Sequence, residues 1–519
     1  MRRPVSIIVA MRRFAVDIRG AAPTPLRSAV FALVALACSS TPDTPPPPAS
    51  VTFPAGFMWG ASTAAFQVEA DDIHTDWSHW AAMPGKIKNG DTPDPNGPDS
   101  LDHVDDDVAL LQSTHQNAYR FSIEWGRIYP TLDDFNDDTP DPAGLAAYDN
   151  LIDKLKAANI TPLVTLHHFA FPDWLSDVTD PNDPQGWERP GVVDQFATFC
   201  SRMASHFGDR VDWWITINEP LNVVVGGYIQ GSFPPGLILN TDRGFAVAKI
   251  EVRAHAACFD AIHQADTVDA DGDGKPAMVS LAKHLRTFHP YDDTDPDDQT
   301  AADRVKYIYN DWFLNAVVLG NWDDDLDGTL TDSPNDVTGD PTLVGRADYL
   351  GVNYYSDTLV SASRGVIIPV IDAAIYEAFM PTTRPKTDFG WDIYPEGLGT
   401  VLDEVKPYGL PVVITENGIA DAGDVNRARF IAEHLYQAGW AIQRGVDLRG
   451  YFHWALVDNF EWANGFCPHF GLASYDPTTK ARTARASART YASIIQAGAV
   501  KQSDIDAMPP YATPTVTCQ

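Results

Sequence analysis

The sequence predicts an α/β fold, namely a (β/α)8 TIM barrel with long βα loops that forms a single domain. Two observations support this prediction. Between residues 57 and 454, eight short runs of apolar and β-branched residues alternate with segments of helical periodicity. The chain has 519 residues, 44% of them apolar, and α/β barrels with insertions reach this size as one domain.

Each predicted strand is a short apolar run that is followed by a turn or a polar residue. Three helices are predicted from apolar residues spaced three and four apart, within Leu145–Leu155, Phe196–Phe207 and Phe430–Ile442. The eight predicted strands are Phe57–Ala61, Ala118–Ile123, Thr161–His168, Trp213–Asn218, Ala277–Leu281, Tyr349–Asn353, Val412–Thr415 and Gly450–Trp454.

The N-terminal segment predicts export from a bacterial cell. Residues 1–38 have the pattern of a signal peptide of the lipoprotein type: an arginine-rich start, an apolar run at Ser28–Ala37 too short to span a bilayer, and Cys38 as the residue to be lipidated. Residues 39–52 contain four consecutive prolines and are predicted to be a linker. We predict a C-terminal tail over residues 498–519. The expected location is the periplasm or the cell envelope, with an extracellular location as the alternative.

Charge and cysteine content narrow the choice of partners. The chain carries 70 acidic and 37 basic residues, a formal net charge of −33, which argues against nucleic acid and anionic membranes. A membrane contact is predicted only through a lipid at Cys38. The five cysteines lack the spacing of a zinc site, and we predict no cofactor. We expect Cys200 and Cys258 to be unpaired core residues, whereas Cys467 and Cys518 could pair in an oxidising compartment.

Two acidic loops have the aspartate spacing of part of a calcium loop. Asp269–Gly274 and Asp323–Gly328 both match positions 1, 3, 5 and 6 of an EF-hand, but position 12 is Ser280 or Pro334 instead of glutamate. Calcium takes six to eight oxygen ligands, so each loop makes only a partial site. We interpret both as solvated loops and keep calcium as the alternative. The calcium candidates are Asp269, Asp271, Asp273, Asp323, Asp325 and Asp327.

Two predicted strands end in a glutamate. Val412–Thr415 is followed by Glu416 and then by Asn-Gly, and Trp213–Asn218 is followed by Glu219 and then by proline. A carboxylate at the end of a buried strand is costly unless it is paired or used. For either strand alone, a glutamate that reaches solvent is an equally good interpretation. Because the C-terminal ends of barrel strands meet at one face, the two together predict a paired-carboxylate active site.

Other polar residues are expected near the same face. Arg120 lies inside the second strand and needs carboxylate partners, for which Glu416 and Glu219 are the candidates. His167 and His168 are adjacent in the third strand and therefore point to opposite faces, so that only one of them faces the site.

These stretches resemble glycoside hydrolase family 1, the family of β-glucosidases and β-galactosidases. The resemblance runs from Phe53 to about Ile495, and its most specific parts are Thr216–Pro220 and Ile414–Gly418 in this order. It implies that residues 53–497 form a catalytic TIM barrel. Further matching stretches are Phe57–Glu69, Tyr119–Pro130, Val164–His168, Gly208–Val211, Pro234–Gly236, Asp348–Tyr355 and Gly450–Trp462.

The resemblance also implies roles for individual residues. Glu219 matches the acid/base of the family and Glu416 its nucleophile. Arg120 and Tyr355 match the residues that orient the nucleophile and tune its charge, and Asn353 belongs to the same neighbourhood. The residues that match the sugar-binding positions are Gln67, His168, Asn218, Trp454 and Glu461, with Trp462 beside them.

The implied activity is that of a retaining β-glycosidase, most simply a β-glucosidase acting on β-glucosides or short β-linked oligosaccharides. Retaining hydrolysis uses two carboxyl groups about 5–5.5 Å apart, one as nucleophile and one as proton donor. Arg120 and Tyr355 are expected to keep Glu416 ionised, so that Glu219 carries the proton.

Alternatives within the family stay open. β-Galactosidase, β-fucosidase and transglycosylase activities use the same chemistry, and Ala70, Glu124, Phe169 and Ala170 depart from the commonest family pattern near the sugar pocket. A 6-phospho-β-glycosidase is disfavoured because Gly465–Phe470 lacks the serine and lysine of such enzymes.

Two further alternatives are disfavoured by the glutamates themselves. A plant-type thioglucosidase is disfavoured because position 219 is glutamate and not glutamine. The non-enzyme alternative, a silent carbohydrate-binding barrel, is disfavoured because both Glu219 and Glu416 are present.

Overall fold

The structure, a computed structural model, describes residues 46–369, 371–376 and 382–518. The predicted barrel is present: eight parallel strands pair in chain order, and the last pairs with the first. They are the eight predicted strands with somewhat different ends. The strands are β1 (Met58–Ser62), β2 (Ala118–Ser122), β3 (Thr161–His167), β4 (Trp213–Asn218), β5 (Met278–His284), β6 (Leu350–Asn353), β7 (Val412–Asn417) and β8 (Leu448–Trp454).

Helices lie between successive barrel strands, and the three predicted helices are present as Pro142–Ala157, Val192–Phe207 and Arg427–Gln443. The other helices of eight residues or more are Val104–Ser113, Thr241–Ala265, Pro296–Lys306, Trp312–Leu319, Pro395–Val405 and Ala486–Ala497. Shorter helices are Ala65–Val68, Asp76–Ala82, Pro93–Asn96, Trp125–Ile128, Leu132–Asp137, Pro220–Val224, Val225–Ile229, Tyr307–Asp311 and Gln502–Asp506, with single 3-10 turns at Lys88–Gly90, Gly186–Glu188, Lys406–Tyr408 and Trp462–Asn464.

The barrel strands are mostly apolar and almost entirely buried, because both of their faces are covered. Helices pack on the outside, and a separate apolar cluster that draws on all eight strands and their ends fills the inside. The cluster comprises Met58, Ala118, Leu163, Trp213, Ile215, Met278, Ala282, Tyr349, Val413 and Phe452.

Small sheets outside the barrel use the remaining strands. Thr287–Pro290, Asp357–Ser361 and Ala374–Tyr376 form a three-stranded sheet after the ends of β5 and β6, and Ala473–Tyr475 pairs with Arg482–Ala484. The long loops of the prediction therefore carry secondary structure of their own.

The folded part extends further at both ends than we predicted. Ser50–Thr52, assigned to the linker, pairs antiparallel with Ala499–Lys501, assigned to the tail. Val51, in the first of these strands, is fully buried, and Cys518 near the C-terminus is buried as well. Strands of three residues are too short to show a period of two, so the sequence pattern did not reveal them.

The expectation that Cys200 and Cys258 are unpaired is wrong, because they form a disulfide with an S–S distance of 2.02 Å. The bond joins the helix Val192–Phe207 to the helix Thr241–Ala265. Helical periodicity put both cysteines on apolar faces but did not indicate that these two faces pack against each other. Cys467 and Cys518, whose pairing the sequence left open, also form a disulfide.

The predicted signal peptide, residues 1–38, and the linker up to residue 45 lie outside the described residues. In the part of the chain that the structure describes, no helix is both long enough and apolar enough to cross a membrane.

Candidate active site

A cavity of about 450 Å³ opens at the C-terminal ends of the barrel strands. Two of the predicted site residues, Arg120 and Asn353, are fully buried behind its lining and contact the two glutamates. The structure thus brings all eleven predicted residues together. The nine that line the cavity are Gln67, His168, Asn218, Glu219, Tyr355, Glu416, Trp454, Glu461 and Trp462.

Glu416 lies near the end of β7 and is held from two sides. The guanidinium of Arg120, from β2, forms an ion pair with one carboxylate oxygen, and the hydroxyl of Tyr355 donates to the other at 2.7 Å. The glycine two residues later is required by packing, because a Cβ at Gly418 would collide with the carbonyl oxygen of Trp454. The sequence Glu-Asn-Gly therefore lets β7 and β8 approach closely where the carboxylate emerges.

Arg120 has a second set of partners that differs from our expectation. Its Nη2 donates to Oδ1 of Asn218 at 2.7 Å and its Nε to Oγ1 of Thr165 at 3.1 Å. Glu416 is a partner as predicted, but the second position is taken by the Asn218 amide and not by Glu219. A fully buried guanidinium needs all its donors satisfied, and these contacts leave its charge directed at Glu416.

Glu219 stands at a sharp change of backbone direction. Its φ of 45° lies in the left-handed region, and Pro220 then begins the next helix, where the lack of an N–H does no harm. The Glu219 amide donates to the carbonyl of Ala282 at 2.8 Å. Its carboxylate accepts from Nδ2 of Asn353 at 2.8 Å and from the amide of Asn222. All these side-chain donors are neutral.

The two glutamates therefore have different electrostatic surroundings. Burial is the larger cause and the nearby Glu416 charge the smaller, and both raise the pKa of Glu219, which is about 8. Burial also raises the pKa of Glu416, but the Arg120 charge and the hydrogen bonds from Tyr355 and Arg120 oppose that rise. One proton shared by the pair consequently resides on Glu219, and Glu416 is the ionised partner.

Gln67 and His168 each present a buried polar atom without a partner among the described residues. The Gln67 amide nitrogen donates to Oδ1 of Asn459 and to the carbonyl of Phe460, which leaves its Oε1 unsatisfied. Burial lowers the pKa of His168 well below its usual range, so the ring is neutral. Its Nε2 lies 3.0 Å from Nδ2 of Asn218, and its Nδ1 is unsatisfied. Such atoms are costly unless a ligand supplies hydrogen bonds.

Aromatic rings line the same cavity. The ring of His168 is nearly parallel to those of Trp454 and Trp462, with interplanar angles of 24° and 18°. The Trp454 indole N–H donates to Oε1 of Glu461 at 3.1 Å, and burial raises the pKa of Glu461 to about 8. His167 points the other way, against Phe171, as strand alternation predicted.

Sequence reasoning missed three residues around Glu219. Asn222 is one helical turn after Glu219 and donates to it. The Tyr309 hydroxyl lies 2.6 Å from Oδ1 of Asn222 and 3.0 Å from Nδ1 of His284, and that Nδ1 is 3.8 Å from Glu219. His284 is the last residue of β5, which we predicted to end at Leu281. Extending that strand to its polar end would have identified it.

Groups of carboxylates that could hold a cation lie outside this cavity. In the described residues, one carboxylate oxygen each from Asp212, Asp269 and Asp271 lie within 4.8 Å of one another, and the same holds for two groups in the second acidic loop. Asp273, one of the predicted candidates, is not part of the first group. The other two groups are Asp323, Asp325 and Asp327, and Asp325, Asp332 and Asp336.

A closed parallel barrel with two buried glutamates at its mouth, one beside a guanidinium and one with neutral hydrogen-bond donors, has the paired carboxyl groups of an enzyme that cleaves glycosidic bonds. Hydrogen-bonding groups and aromatic rings around the glutamates suit a sugar. The fold and the site thus define the class as a glycoside hydrolase.

Comparison with known proteins identifies the family. The model of glycosyl hydrolase family 1 matches residues 49–499, and the chain belongs to this family, as the resemblance predicted. It is 33% identical to β-glucosidase A of Thermotoga maritima over 467 residues, which cover 86% of this chain and 98% of that protein. It is also 33% identical to a β-galactosidase of Pyrococcus woesei over 493 residues, which cover 83% and 94%.

Solved structures agree with this assignment. A family 1 β-glucosidase from Thermotoga maritima superposes with a TM-score of 0.76 at 31% identity, over 87% of this chain and 99% of that one. A structure of that organism's β-glucosidase in complex with galacto-hydroximolactam superposes with a TM-score of 0.74 at 30% identity, over 86% and 99%. The chain is therefore a retaining β-glycosidase, and its relatives bear the names of both β-glucosidases and β-galactosidases.

Proposed function

We propose that the protein hydrolyses terminal, non-reducing β-D-glucosyl residues, with Glu416 as nucleophile and Glu219 as acid/base. The assignment of roles is supported by the surroundings of the two carboxylates. Glu416 receives a positive charge from Arg120 and a hydroxyl from Tyr355, whereas Glu219 receives only neutral amides. The ionised group attacks, and the protonated group serves the leaving oxygen.

In the first step, a Glu416 oxygen bonds to the anomeric carbon while the bond from that carbon to the leaving oxygen breaks. Glu219 gives its proton to the leaving oxygen, and a glycosyl ester forms on Glu416. The ester removes the Glu416 charge, which lowers the proton affinity of Glu219. Glu219 then takes a proton from water, whose oxygen displaces Glu416, and the sugar leaves with its original configuration.

The aromatic lining supports a pyranose as the substrate. The nearly parallel rings of Trp454, His168 and Trp462 offer flat apolar surfaces, on which the apolar face of a glucose or a galactose ring can stack. Gln67 Oε1 and Glu461 supply acceptors for the hydroxyls. The choice of glucose is supported by relatives named β-glucosidase.

A panel of aryl β-glycosides tests this proposal. We expect kcat/KM to be highest for the β-glucoside, measurable for the β-galactoside and β-fucoside, and lowest for the β-mannoside, with glucose released from cellobiose. Glu416→Ala, prepared in parallel, controls for contaminating glycosidases. A kcat/KM for the galactoside about tenfold above that for the glucoside, a preference of about 1.4 kcal/mol, would reverse the sugar assignment. Absence of activity on every substrate would refute the function.

We also propose that the protein is exported and lipidated at Cys38. The apolar segment before Cys38 supports this, and so do the two disulfides, since such bonds persist in oxidising compartments. Palmitate labelling of the full chain in a bacterial host should label the protein, and Cys38→Ser should abolish the label. An unlabelled protein, or intact mass from a terminus other than Cys38, would contradict the proposal.

A further inference from the structure

We propose that Asp212, Asp269 and Asp271 bind a calcium ion at the end of the barrel opposite the active site. Asp212 directly precedes β4, and the loop with the other two aspartates precedes β5, so both lie at the N-terminal ends of strands. One carboxylate oxygen from each of the three lies within 4.8 Å of the others. Oxygen ligands at such spacing suit a calcium ion, whose bonds to oxygen are about 2.3–2.6 Å long.

Asp212 provides the observation that points to a ligand. The residue is only 4% exposed. Its Oδ1 accepts from the amide of Ala270 at 2.9 Å, whereas its Oδ2 is buried and has no hydrogen-bond partner among the described residues. A buried carboxylate oxygen without a partner is strongly unfavourable. A cation between this carboxylate and the acidic loop would satisfy it.

The backbone of the acidic loop curves around the carboxylate of its first aspartate. Asp269 accepts from the amides of Gly272 at 2.8 Å and Gly274 at 3.0 Å, so the chain curls around its carboxylate. The loop lacks the glutamate of position 12, but Asp212, the residue before β4, adds a carboxylate to the group. Lys156 reaches the loop, but its Nζ donates to the carbonyl of Ala270 at 3.4 Å and not to a carboxylate.

The second acidic loop lacks such an unsatisfied group. Both oxygens of Asp323 are used, since Oδ2 accepts from the Tyr307 hydroxyl and the Gly328 amide, and Oδ1 from the Leu326 amide. The buried carboxylate of this loop is therefore satisfied by the protein itself. Its exposed Asp325 therefore supplies a control for the loss of one negative charge.

Terbium(III), a luminescent substitute for calcium, tests the site without reference to activity. The Trp213 indole N–H donates to Oδ2 of Asp271 at 3.3 Å, so excitation of tryptophan should sensitise a terbium ion bound here. We expect one sensitised site, displaced by calcium with a dissociation constant of about 0.1–1 mM, as for extracellular modules. Asp212→Asn, which keeps an oxygen for Ala270, and Asp271→Asn should each weaken binding about tenfold or more.

Asp325→Asn should bind terbium as the wild type does. Calcium at about 5 mM, well above that dissociation constant, should raise the melting temperature of the wild type and of Asp325→Asn but not that of Asp212→Asn. The proposal is overturned if no sensitised emission is seen or if Asp212→Asn and Asp271→Asn bind like the wild type. An equal loss in Asp325→Asn would also overturn it, since it would indicate diffuse attraction to the acidic surface.

A second, independent observation concerns the leaving-group side of the active site. An apolar cavity of about 280 Å³ adjoins the catalytic cavity, and the two share Val225, Gln230 and Arg286. Ile238, which also lines the apolar cavity, is 71% exposed. Other lining residues include Leu221, Val224, Phe288, Val305, Ile308 and Ile368.

We infer that this cavity receives an apolar aglycone, such as an alkyl chain, from the substrate. The inference rests on the proposed role of Glu219 as proton donor, because the leaving oxygen must lie beside it. Leu221 and Val224 belong to the helix Pro220–Val224, which starts directly after Glu219. The apolar cavity therefore lies beside the helix that follows the proton donor, and its aliphatic side chains favour a hydrocarbon over a second sugar.

A series of alkyl β-glucosides from methyl to decyl measures this preference. Burial of a methylene group corresponds to an affinity gain of up to about fourfold, so kcat/KM should rise at least about tenfold between the butyl and octyl glucosides. Ile238→Asp and Ile368→Asp should flatten the rise and leave methyl β-glucoside unaffected. Val268→Asp, an exposed aliphatic residue near the N-terminal end of β5, is the matched control.

The same series of β-galactosides separates the two proposals. If galactosides are preferred but kcat/KM still rises with chain length, the glucose assignment fails and the aglycone inference holds. A flat dependence in both series, or a slope that Ile238→Asp and Ile368→Asp leave unchanged, refutes the aglycone inference alone.

Discussion

Replacing Tyr355 by phenylalanine removes one hydroxyl from the active site and leaves the ring that packs there. That hydroxyl donates to Oε2 of Glu416 at 2.7 Å and is one of the groups that oppose the rise of the Glu416 pKa. A hydrogen bond to a charged group contributes about 1.5–3 kcal/mol, and one pKa unit corresponds to about 1.4 kcal/mol. The pKa of Glu416 should therefore rise by about one to two units in Tyr355→Phe.

The sign of the effect on activity follows from the proposed role of Glu416. The nucleophile must be ionised, so activity is lost as the pH falls through its pKa. A higher pKa moves the acidic limb of the kcat/KM profile to higher pH, by about one to two units. Below the limb, the variant should be about 10- to 100-fold less active than the wild type at the same pH.

The assay is kcat/KM for an aryl β-glucoside from about pH 4 to 9, where both limbs of such a profile are accessible. Because the two glutamates interact, the limbs report the pair and not single residues, and the shift between proteins is the quantity to compare. Tyr354→Phe is the matched control, since its hydroxyl donates to the backbone carbonyl of Tyr394. An acidic limb that stays in place in Tyr355→Phe, moves to lower pH, or moves as far in Tyr354→Phe would refute the reasoning.

Three further predictions concern the carboxylates and a disulfide. Glu416→Ala should reduce kcat by about 10⁴-fold or more, and azide should restore turnover with an α-glycosyl azide as product; full activity or a β-azide would contradict the nucleophile assignment. Glu219→Gln should lower kcat/KM about 10²- to 10⁴-fold for an alkyl glucoside, but much less for a dinitrophenyl glucoside, because that leaving group needs no proton. The variant should also lose the basic limb of the pH profile near the pKa of about 8. Equal losses on both substrates would contradict the acid role. Replacing Cys200 and Cys258 by alanine removes a cross-link between residues 58 positions apart and should lower the free energy of unfolding by about 2–4 kcal/mol. Denaturant titration against the oxidised wild type measures this difference. Unchanged stability would show that the bond does not constrain the chain.

Predictions from local pattern were the most successful. The barrel strands are mostly apolar runs with both faces buried, and their polar ends are visible in the sequence, as at Glu416 and Glu219. Strand alternation correctly predicted that only one of the adjacent His167 and His168 faces the site, and His168 is the one that lines the cavity. These features depend on a few consecutive residues, so no knowledge of distant contacts was needed.

Contacts between distant segments were predicted less well. The sequence indicated that Arg120 needs a carboxylate, but only the closed barrel determined that Asn218, and not Glu219, is its second partner. The pairing of Cys200 with Cys258 depends on how two helices pack.

The sequence by itself determined that eight strands follow one another and that two of them end in glutamate, because strand formation and burial depend on short local patterns of residues. The tertiary structure decided which of these groups meet. Arg120 and Glu416 are 296 positions apart, and the register and closure of the barrel bring them together. The same closure places the Arg120 charge beside Glu416 and neutral donors beside Glu219, and the pKa of a buried group depends on the charges around it.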